Sequence, residues 1–174
     1  MSTSLLDDIR ADLTYKKFKT ILMTTKGKLK LEEAEAEALS LHLSRTSRTM
    51  SGADRYSAKK LIDAAYKDLA CRSRLVEIRV KNDKYLSHLI EATASMSKYI
   101  RTEYADDLKE FGASLERTAY VDRVLKVARD TIQEGKQLLD MLDQLIKDVD
   151  QAGFQIKAVV ALLTLLSEKR GQVL

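Results

Sequence analysis

The C-terminal third of the chain contains an unbroken heptad of apolar positions. Its members follow one another at alternating steps of four and three residues: Val121, Leu125, Ala128, Ile132, Gly135, Leu139, Leu142, Ile146 and Val149. We call these residues the seam. A period of 3.5 residues places them on one helical face that packs against another helix. The seam therefore predicts a long C-terminal helix, and Gly135 within it would let another backbone approach closely.

Self-association is the use that we expect for the seam. Gly153 predicts a bend after it, and Phe154 begins a final apolar helix that reaches about Lys169. The chain is therefore expected to form a homo-oligomer through its C-terminal helices. The residues predicted to join the copies are Ile132, Gly135, Leu139, Leu142, Ile146, Phe154 and Ile156.

The N-terminal region contains short periodic segments and one cluster of lysines. Helical spacing and capping residues predict helices at residues 4–13 and 31–43. Residues 16–30 hold six lysines and no acid. Two structures stay open there, a small hairpin that turns at Gly27 and a basic helix or arm.

A hydroxyl-rich stretch at residues 44–54 is the expected loop and boundary. It separates residues 1–50, a basic segment with short helices, from residues 51–174, a helical core with the oligomerisation region. A further helix runs from about Asp54 to about Lys81, and it either continues through Asn82 or turns there. Gly112 predicts the end of the helical stretch that follows, since glycine accepts the left-handed conformation.

The composition favours helix throughout. The chain has no proline, although proline ordinarily supplies about 5% of residues. Proline is the main helix breaker, and turn-rich β folds need frequent glycine and proline. The expected fold is all-α, an elongated helical bundle with a long C-terminal heptad helix.

The cysteine count and the length of the apolar runs indicate the cellular compartment. The lone Cys71 has no intrachain partner for a disulfide and suggests a reducing environment. The longest nearly apolar run, Ala158–Leu166, is shorter than the roughly 20 residues of a membrane span. A cytoplasmic protein without a membrane partner is therefore expected.

Catalytic and metal-binding motifs are scarce. His42 and His88 are the two histidines, and neither belongs to a His-Glu-x-x-His or Glu-x-x-His motif. No glycine-rich phosphate loop is present. We therefore expect no enzyme, no cofactor and no metal site.

Basic residues are concentrated in the first 100 positions, which hold 19 basic and 13 acidic residues. Lys60, Lys67, Arg74 and Lys81 recur every seven residues, which returns to nearly the same helical face. Such a row suits a phosphate backbone. We call the following residues the basic row and predict that they bind nucleic acid: Lys59, Lys60, Lys67, Arg72, Arg74, Arg79 and Lys81.

An ordinary solvated helix face is the alternative for the basic row. Three acids precede basic residues by four positions, in the order that stabilises a helix: Asp63–Lys67, Asp68–Arg72 and Glu77–Lys81. Tyr56 and Tyr66 flank the row and would offer rings for stacking bases, although such rings more often belong to a core.

Two short stretches resemble the UvsY-type recombination mediators of T-even-like phages. The first is Ala70-Cys71-Arg72-Ser73-Arg74-Leu75, which is similar to a basic-x-basic-Leu element in that family's central helix. The second begins at Leu138-Leu139-Asp140 and continues to Gly153-Phe154-Gln155-Ile156-Lys157. The family's paired tyrosines and glycine after the basic element are not seen here.

The resemblance implies a helical, ring-like homo-oligomer that binds single-stranded DNA, contacts the single-strand-binding protein and helps load the recombinase. It implies that Arg72 and Arg74 contact DNA. Two other functions stay open: a structural helical oligomer such as a scaffold, adaptor or virion component, and a module on anionic membrane that uses residues 16–30 and 154–166.

Overall fold

The computed structural model describes residues 4–171 and the side chains of residues 4–169. The described residues form helices and no strand, which confirms the all-α prediction. The α-helices are α1 (Leu5–Ala11), α2 (Leu13–Leu29), α3 (Leu31–Leu43), α4 (Thr46–Thr49), α5 (Ala58–Glu103), α6 (Ala105–Lys109), α7 (Ser114–Val124) and α8 (Lys126–Gly171). A 3₁₀ turn, Asp54–Tyr56, precedes α5.

The lysine-rich segment is helical, so the hairpin alternative at Gly27 is wrong. Asp12 caps α2 by accepting hydrogen bonds from the backbone N–H groups of Thr14 and Tyr15, at 2.5 and 3.3 Å. The buried residues of α2 follow helical spacing, namely Phe18, Leu22, Thr25 and Leu29. This apolar face fixes a helix, while the lysines between its members remain exposed.

The glycines of the C-terminal half behave differently from one another. Gly112 has a φ of 76° after α6, which confirms the predicted helix end. The predicted bend at Gly153 is wrong, because α8 continues through it. A glycine inside a helix costs only about 1 kcal/mol relative to alanine, and that penalty does not break a long amphipathic helix.

Two compact units divide the chain. Unit 1 comprises Met1–Leu31 and Asn82–Gln137, and unit 2 comprises Glu32–Lys81 and Leu138–Leu174. Each unit takes one part of α5 and one part of α8. These divisions differ in place from the boundary expected at residues 50/51, and the separate roles predicted for residues 1–50 and 51–174 stay a prediction.

Unit 1 has an apolar core with a polar clamp beside it. Its core residues are Ile9, Phe18, Leu22, Leu89, Met96, Ile100, Leu108, Val121, Leu125 and Ala128. The Asp12 carboxylate accepts hydrogen bonds from the hydroxyls of Tyr99 and Tyr104, at 2.9 and 3.2 Å. Burial, together with the nearby Asp12 charge, raises the pKa of Tyr104 to about 12. This clamp joins the start of α2 to the end of α5.

Gly135 packs inside unit 1. A Cβ atom at this position would lie 2.7 Å from Cδ1 of the buried Leu86. The absent side chain therefore accommodates Leu86 of the same chain. The sequence predicted that another backbone would approach closely at Gly135, whereas the group nearest its Cβ position is the Leu86 side chain.

The two glycines Gly135 and Gly27 provide a matched test of this packing. Gly27→Ala, where open space surrounds the Cβ position, is expected to raise the free energy of unfolding by about 0.5–1 kcal/mol through helix propensity. Gly135→Ala is not expected to raise the free energy of unfolding, because the added methyl group would crowd the Leu86 side chain. Urea unfolding of both variants measures the difference, and equal stabilisation would contradict the close packing.

Candidate nucleic-acid interface

Two arginines of the basic row form ion pairs between α5 and α8 within unit 2. Arg72 donates from Nε and Nη2 to Asp150 at 2.6 and 3.2 Å. Arg79 donates in the same way to Asp143 at 2.5 and 3.2 Å. Each bidentate pair uses the planar guanidinium fork. Seven residues separate the partners on each helix, in opposite chain directions, so these segments run antiparallel.

Arg74 is also paired, on a more exposed surface. Its Nε donates to Glu37 of α3 at 2.7 Å, and its Nη1 donates to Glu77 at 2.9 Å. The hydrogen bond that Arg74 donates to Glu37, followed by the one that it donates to Glu77, raises the pKa of Arg74. The two arginines to which the resemblance assigns DNA contact, Arg72 and Arg74, therefore both have acidic partners.

The lysines of the basic row are exposed to solvent. Lys60 contacts Asp54, whereas no described acid lies within ion-pair distance of Lys59, Lys67 or Lys81. The i,i+4 ion pairs anticipated for Lys67 and Lys81 are therefore not formed. These lysines are available to an outside anion.

The sequence interpretation left the placement of two tyrosines open, and the structure exposes both. Tyr56 is 80% exposed and Tyr66 is 71% exposed. Tyr66 lies seven residues after Lys59, and Lys67 lies seven after Lys60, so each pair repeats about 10 Å along α5. We call Tyr56, Lys59, Lys60, Tyr66 and Lys67 the lysine–tyrosine face. It combines positive charge with exposed rings.

The residues predicted to join the copies are buried or partly buried in the chain's own fold, with the exception of Phe154. Gly135, Leu142 and Ile156 are buried, and three more are partly buried, namely Ile132, Leu139 and Ile146. Phe154 is 69% exposed. The seam therefore serves intrachain packing, because a heptad pattern specifies a helical partner without specifying which chain supplies it. Self-association through Phe154 stays a prediction.

The sequence predicted an apolar C-terminal helix without showing which of its apolar residues would be exposed. Phe154, Ala158, Ala161 and Leu165 are all exposed and follow steps of four, three and four residues. We call them the apolar stripe. They lie on the helical face opposite Val149 and Ile156, which are buried. The stripe was hidden in the sequence because apolar residues surround this end of α8 on every side.

An apolar groove adjoins the stripe within unit 2. It has a volume of about 790 Å³ and lies between α5 and α8, with Ile62, Tyr66, Leu69, Phe154 and Val160 among its lining residues. The Arg72–Asp150 ion pair lies in its wall. Tyr66 therefore belongs both to the groove and to the lysine–tyrosine face.

The exposed part of α8 is also long and apolar enough to cross a membrane. Within Lys126–Lys169, an 18-residue window has a mean hydropathy of 1.4 and is 11% buried. This finding rests on length and composition only. It differs from the expectation that the chain has no membrane span, because an average over 18 residues tolerates single polar residues, whereas an uninterrupted apolar run ends at each of them. The absence of a membrane partner stays a prediction.

His42 belongs to a buried polar cluster that composition alone did not reveal. Arg48 donates from Nη1 to His42 Nε2 at 2.6 Å, and Asp148 lies 3.6 Å from the same nitrogen. Because arginine has no acceptor, this contact requires a neutral imidazole. Burial lowers the pKa of His42, and repulsion from Arg45 and Arg48 acts in the same direction, against Asp148 and Asp68.

This pKa shift predicts a stability change near neutral pH. As pH falls, His42 takes up a proton in the unfolded chain before it does so in the folded chain. The contribution of neutral His42 to folding stability is therefore present above the ordinary pKa of about 6.5 and is lost as pH falls below it. Wild type is expected to lose stability between about pH 7.5 and pH 5.5, and His42→Gln to lose less. Urea unfolding at both pH values compares the two proteins, and equal losses would contradict this role for His42.

Within the described residues, no group of three or more His, Cys, Asp or Glu side chains is arranged to hold a metal ion. A scan against protein-family models, a search of curated proteins and a search of solved structures each found no match. The argument for function therefore depends on the surfaces of the chain itself.

Proposed function

We propose that this chain is a non-catalytic single-stranded DNA-binding protein that acts as a homo-oligomer. The lysine–tyrosine face is the observation that carries the proposal. Lys59 and Lys67 have no acidic partner among the described residues, and Tyr56 and Tyr66 lie beside them with exposed rings. Lysines neutralise phosphates, and bases stack on exposed rings at about 1–3 kcal/mol per base.

The proposed contact differs from the one that the resemblance implies. Arg72 and Arg74 already bind acidic side chains, and a DNA phosphate would have to displace Asp150, Glu37 or Glu77. Lys59 and Lys67 need no such exchange. We therefore assign first contact to the lysine–tyrosine face and give the two arginines a structural role within unit 2.

A narrower role as a recombination mediator rests on the resemblance alone. It would add the strand-exchange recombinase and the single-strand-binding protein as partners, in the cytoplasm of a host cell. The Cys71-Arg72-Ser73-Arg74 and Gly153-Phe154-Gln155-Ile156-Lys157 elements support this role. A strand-exchange assay with a supplied recombinase would test it separately from DNA binding.

Assembly would increase the affinity for a long strand. The apolar stripe repeats at the spacing that packs one helix against another, and residues 158–166 carry no charge. We assign the stripe to contact with a second copy of the chain. Several linked faces would then hold one strand with an avidity far above that of a single face.

Fluorescence anisotropy with single- and double-stranded oligonucleotides over a salt series tests the proposal. We expect preferential binding of the single strand and an affinity that falls steeply with salt, because counterions are released. No binding at low salt would contradict it. Equal binding of both forms would remove the role of the tyrosine rings, since paired bases are not free to stack on them.

A structural helical oligomer is the second candidate. The pairing of Arg72, Arg74 and Arg79 with acids favours it, because such pairs support a fold rather than a ligand. The exposed stripe would then be the main functional surface. Stable assembly without any oligonucleotide binding would favour this candidate over the first.

A further inference from the structure

Three arginines line one open cavity of unit 2. Arg45 precedes α4, Arg48 lies within it, and Arg55 belongs to the 3₁₀ turn before α5. The cavity has a volume of about 570 Å³, and none of the described residues that line it is acidic. Three positive charges in one cavity favour the binding of an anion.

Arg45 is the most unusual of these residues. It is only 5% exposed, yet its Nε and Nη1 atoms have no hydrogen-bond partner. The nearest carboxylate oxygen belongs to Asp68, at 3.8 Å from Nε. Asp68 instead accepts hydrogen bonds from the backbone N–H and the hydroxyl of Ser47. Buried charged groups are ordinarily hydrogen-bonded, so Arg45 has unused donors.

The other two arginines add charge that is not neutralised at the cavity. Arg48 donates to the neutral His42, which leaves its positive charge in place. Arg55 is exposed and has no ion-pair partner within the part of the chain that the structure describes. Asp68 is therefore the one described acid within ion-pair distance of any of the three.

We propose that this cavity binds a nucleoside phosphate, with the phosphate group held by Arg45, Arg48 and Arg55. Arginine presents a planar fork that matches phosphate oxygens. Apolar residues also line the cavity, Leu61 and Val159 among them, which suits the body of a nucleoside. The volume falls within the range of about 300–1,000 Å³ that is usual for small-molecule sites.

This inference stands apart from the proposed function, because none of the three arginines belongs to the lysine–tyrosine face. A nucleoside phosphate has two sources, a free nucleotide and a unit of a bound strand. Both offer the same chemistry to the cavity. Arg55 directly precedes Tyr56, so a strand on the lysine–tyrosine face would pass close to the cavity.

NMR of arginine side-chain N–H groups in the full chain tests the site. The probes are inorganic phosphate, thymidine 5′-monophosphate and oligo(dT). We expect the Nε–H signals of Arg45 and Arg55 to shift, and Arg55→Gln to weaken binding by about tenfold or more. Arg123→Gln removes an exposed arginine of unit 1 and is the matched control, which should bind like wild type.

The three probes separate the sources of the phosphate. Affinities are read from the Arg45 and Arg55 signals, so that binding at the lysine–tyrosine face does not count. By this measure, tightest binding of the monophosphate supports a free nucleotide, and tightest binding of oligo(dT) supports a unit of a strand. Equal affinity for inorganic phosphate would contradict a contribution of the nucleoside. The inference is overturned if no probe shifts Arg45 and Arg55, if Arg123 shifts equally, or if Arg55→Gln leaves every affinity unchanged.

Discussion

Replacing Lys59, Lys60 and Lys67 together by glutamine is expected to lower the affinity for oligo(dT) by about a hundredfold at low salt. The estimate assigns about 1 kcal/mol to each lysine–phosphate contact. The slope of log affinity against log salt should fall by about 2, since each single-strand contact contributes about 0.7. Anisotropy titrations at several salt concentrations measure both quantities.

Lys16, Lys17 and Lys19 provide the matched control. They are exposed on α2 in unit 1, and their replacement by glutamine removes the same charge. We expect the control variant to retain most of the affinity. If both triple variants lose affinity and slope equally, binding depends on net charge and the lysine–tyrosine face has no special role.

Leu142→Ala is expected to lower the free energy of unfolding by about 2–5 kcal/mol, which is the usual cost of a buried leucine-to-alanine cavity. Leu142 is 0% exposed and lies in the seam. The structure assigns the seam to packing within the chain, so the loss should not depend on protein concentration. Urea unfolding at two well-separated protein concentrations checks this result.

Phe154→Ala is the counterpart on the exposed side of α8. We expect it to change the free energy of unfolding of the single chain by no more than about 0.5 kcal/mol and to reduce assembly, measured by light scattering. The reverse result would contradict the assignment. Dissociation of Leu142→Ala without loss of chain stability would mean that the seam joins separate copies.

The helical class followed from the sequence because the controlling features are local. The missing prolines and the heptad of the seam each act within a few residues of the chain. Gly112 could be predicted in the same way, because a positive φ is a local requirement. The bend predicted at Gly153 is wrong, since a glycine permits a bend but does not require one.

The partners of the charged residues could not be predicted from spacing alone. Asp68 and Glu77 precede Arg72 and Lys81 by four residues, yet Asp68 binds Ser47 and Glu77 binds Arg74. Arg72 pairs with Asp150, which lies 78 positions away. Long-range packing decided the partners of Asp68 and Arg72, because surface i,i+4 pairs contribute only about 0.3–0.5 kcal/mol.

The seam shows the same limit for apolar residues. Its period predicted a helix and a packed face, and both are present. It did not predict that Leu86 of the same chain would cover Gly135. Tyr56 and Tyr66 show the opposite case, because tyrosine is a typical core residue and yet both side chains are exposed. Only their surroundings show that they are open to solvent.

Photo-crosslinking is the most direct test of the lysine–tyrosine face. An oligonucleotide that carries 5-iodouracil is irradiated with the full chain, and the modified residues are located by mass spectrometry. We predict crosslinks at Tyr56 and Tyr66, because stacked bases bring the uracil against these rings. Crosslinks confined to other aromatic residues, such as Tyr15 or Tyr85, would contradict the account.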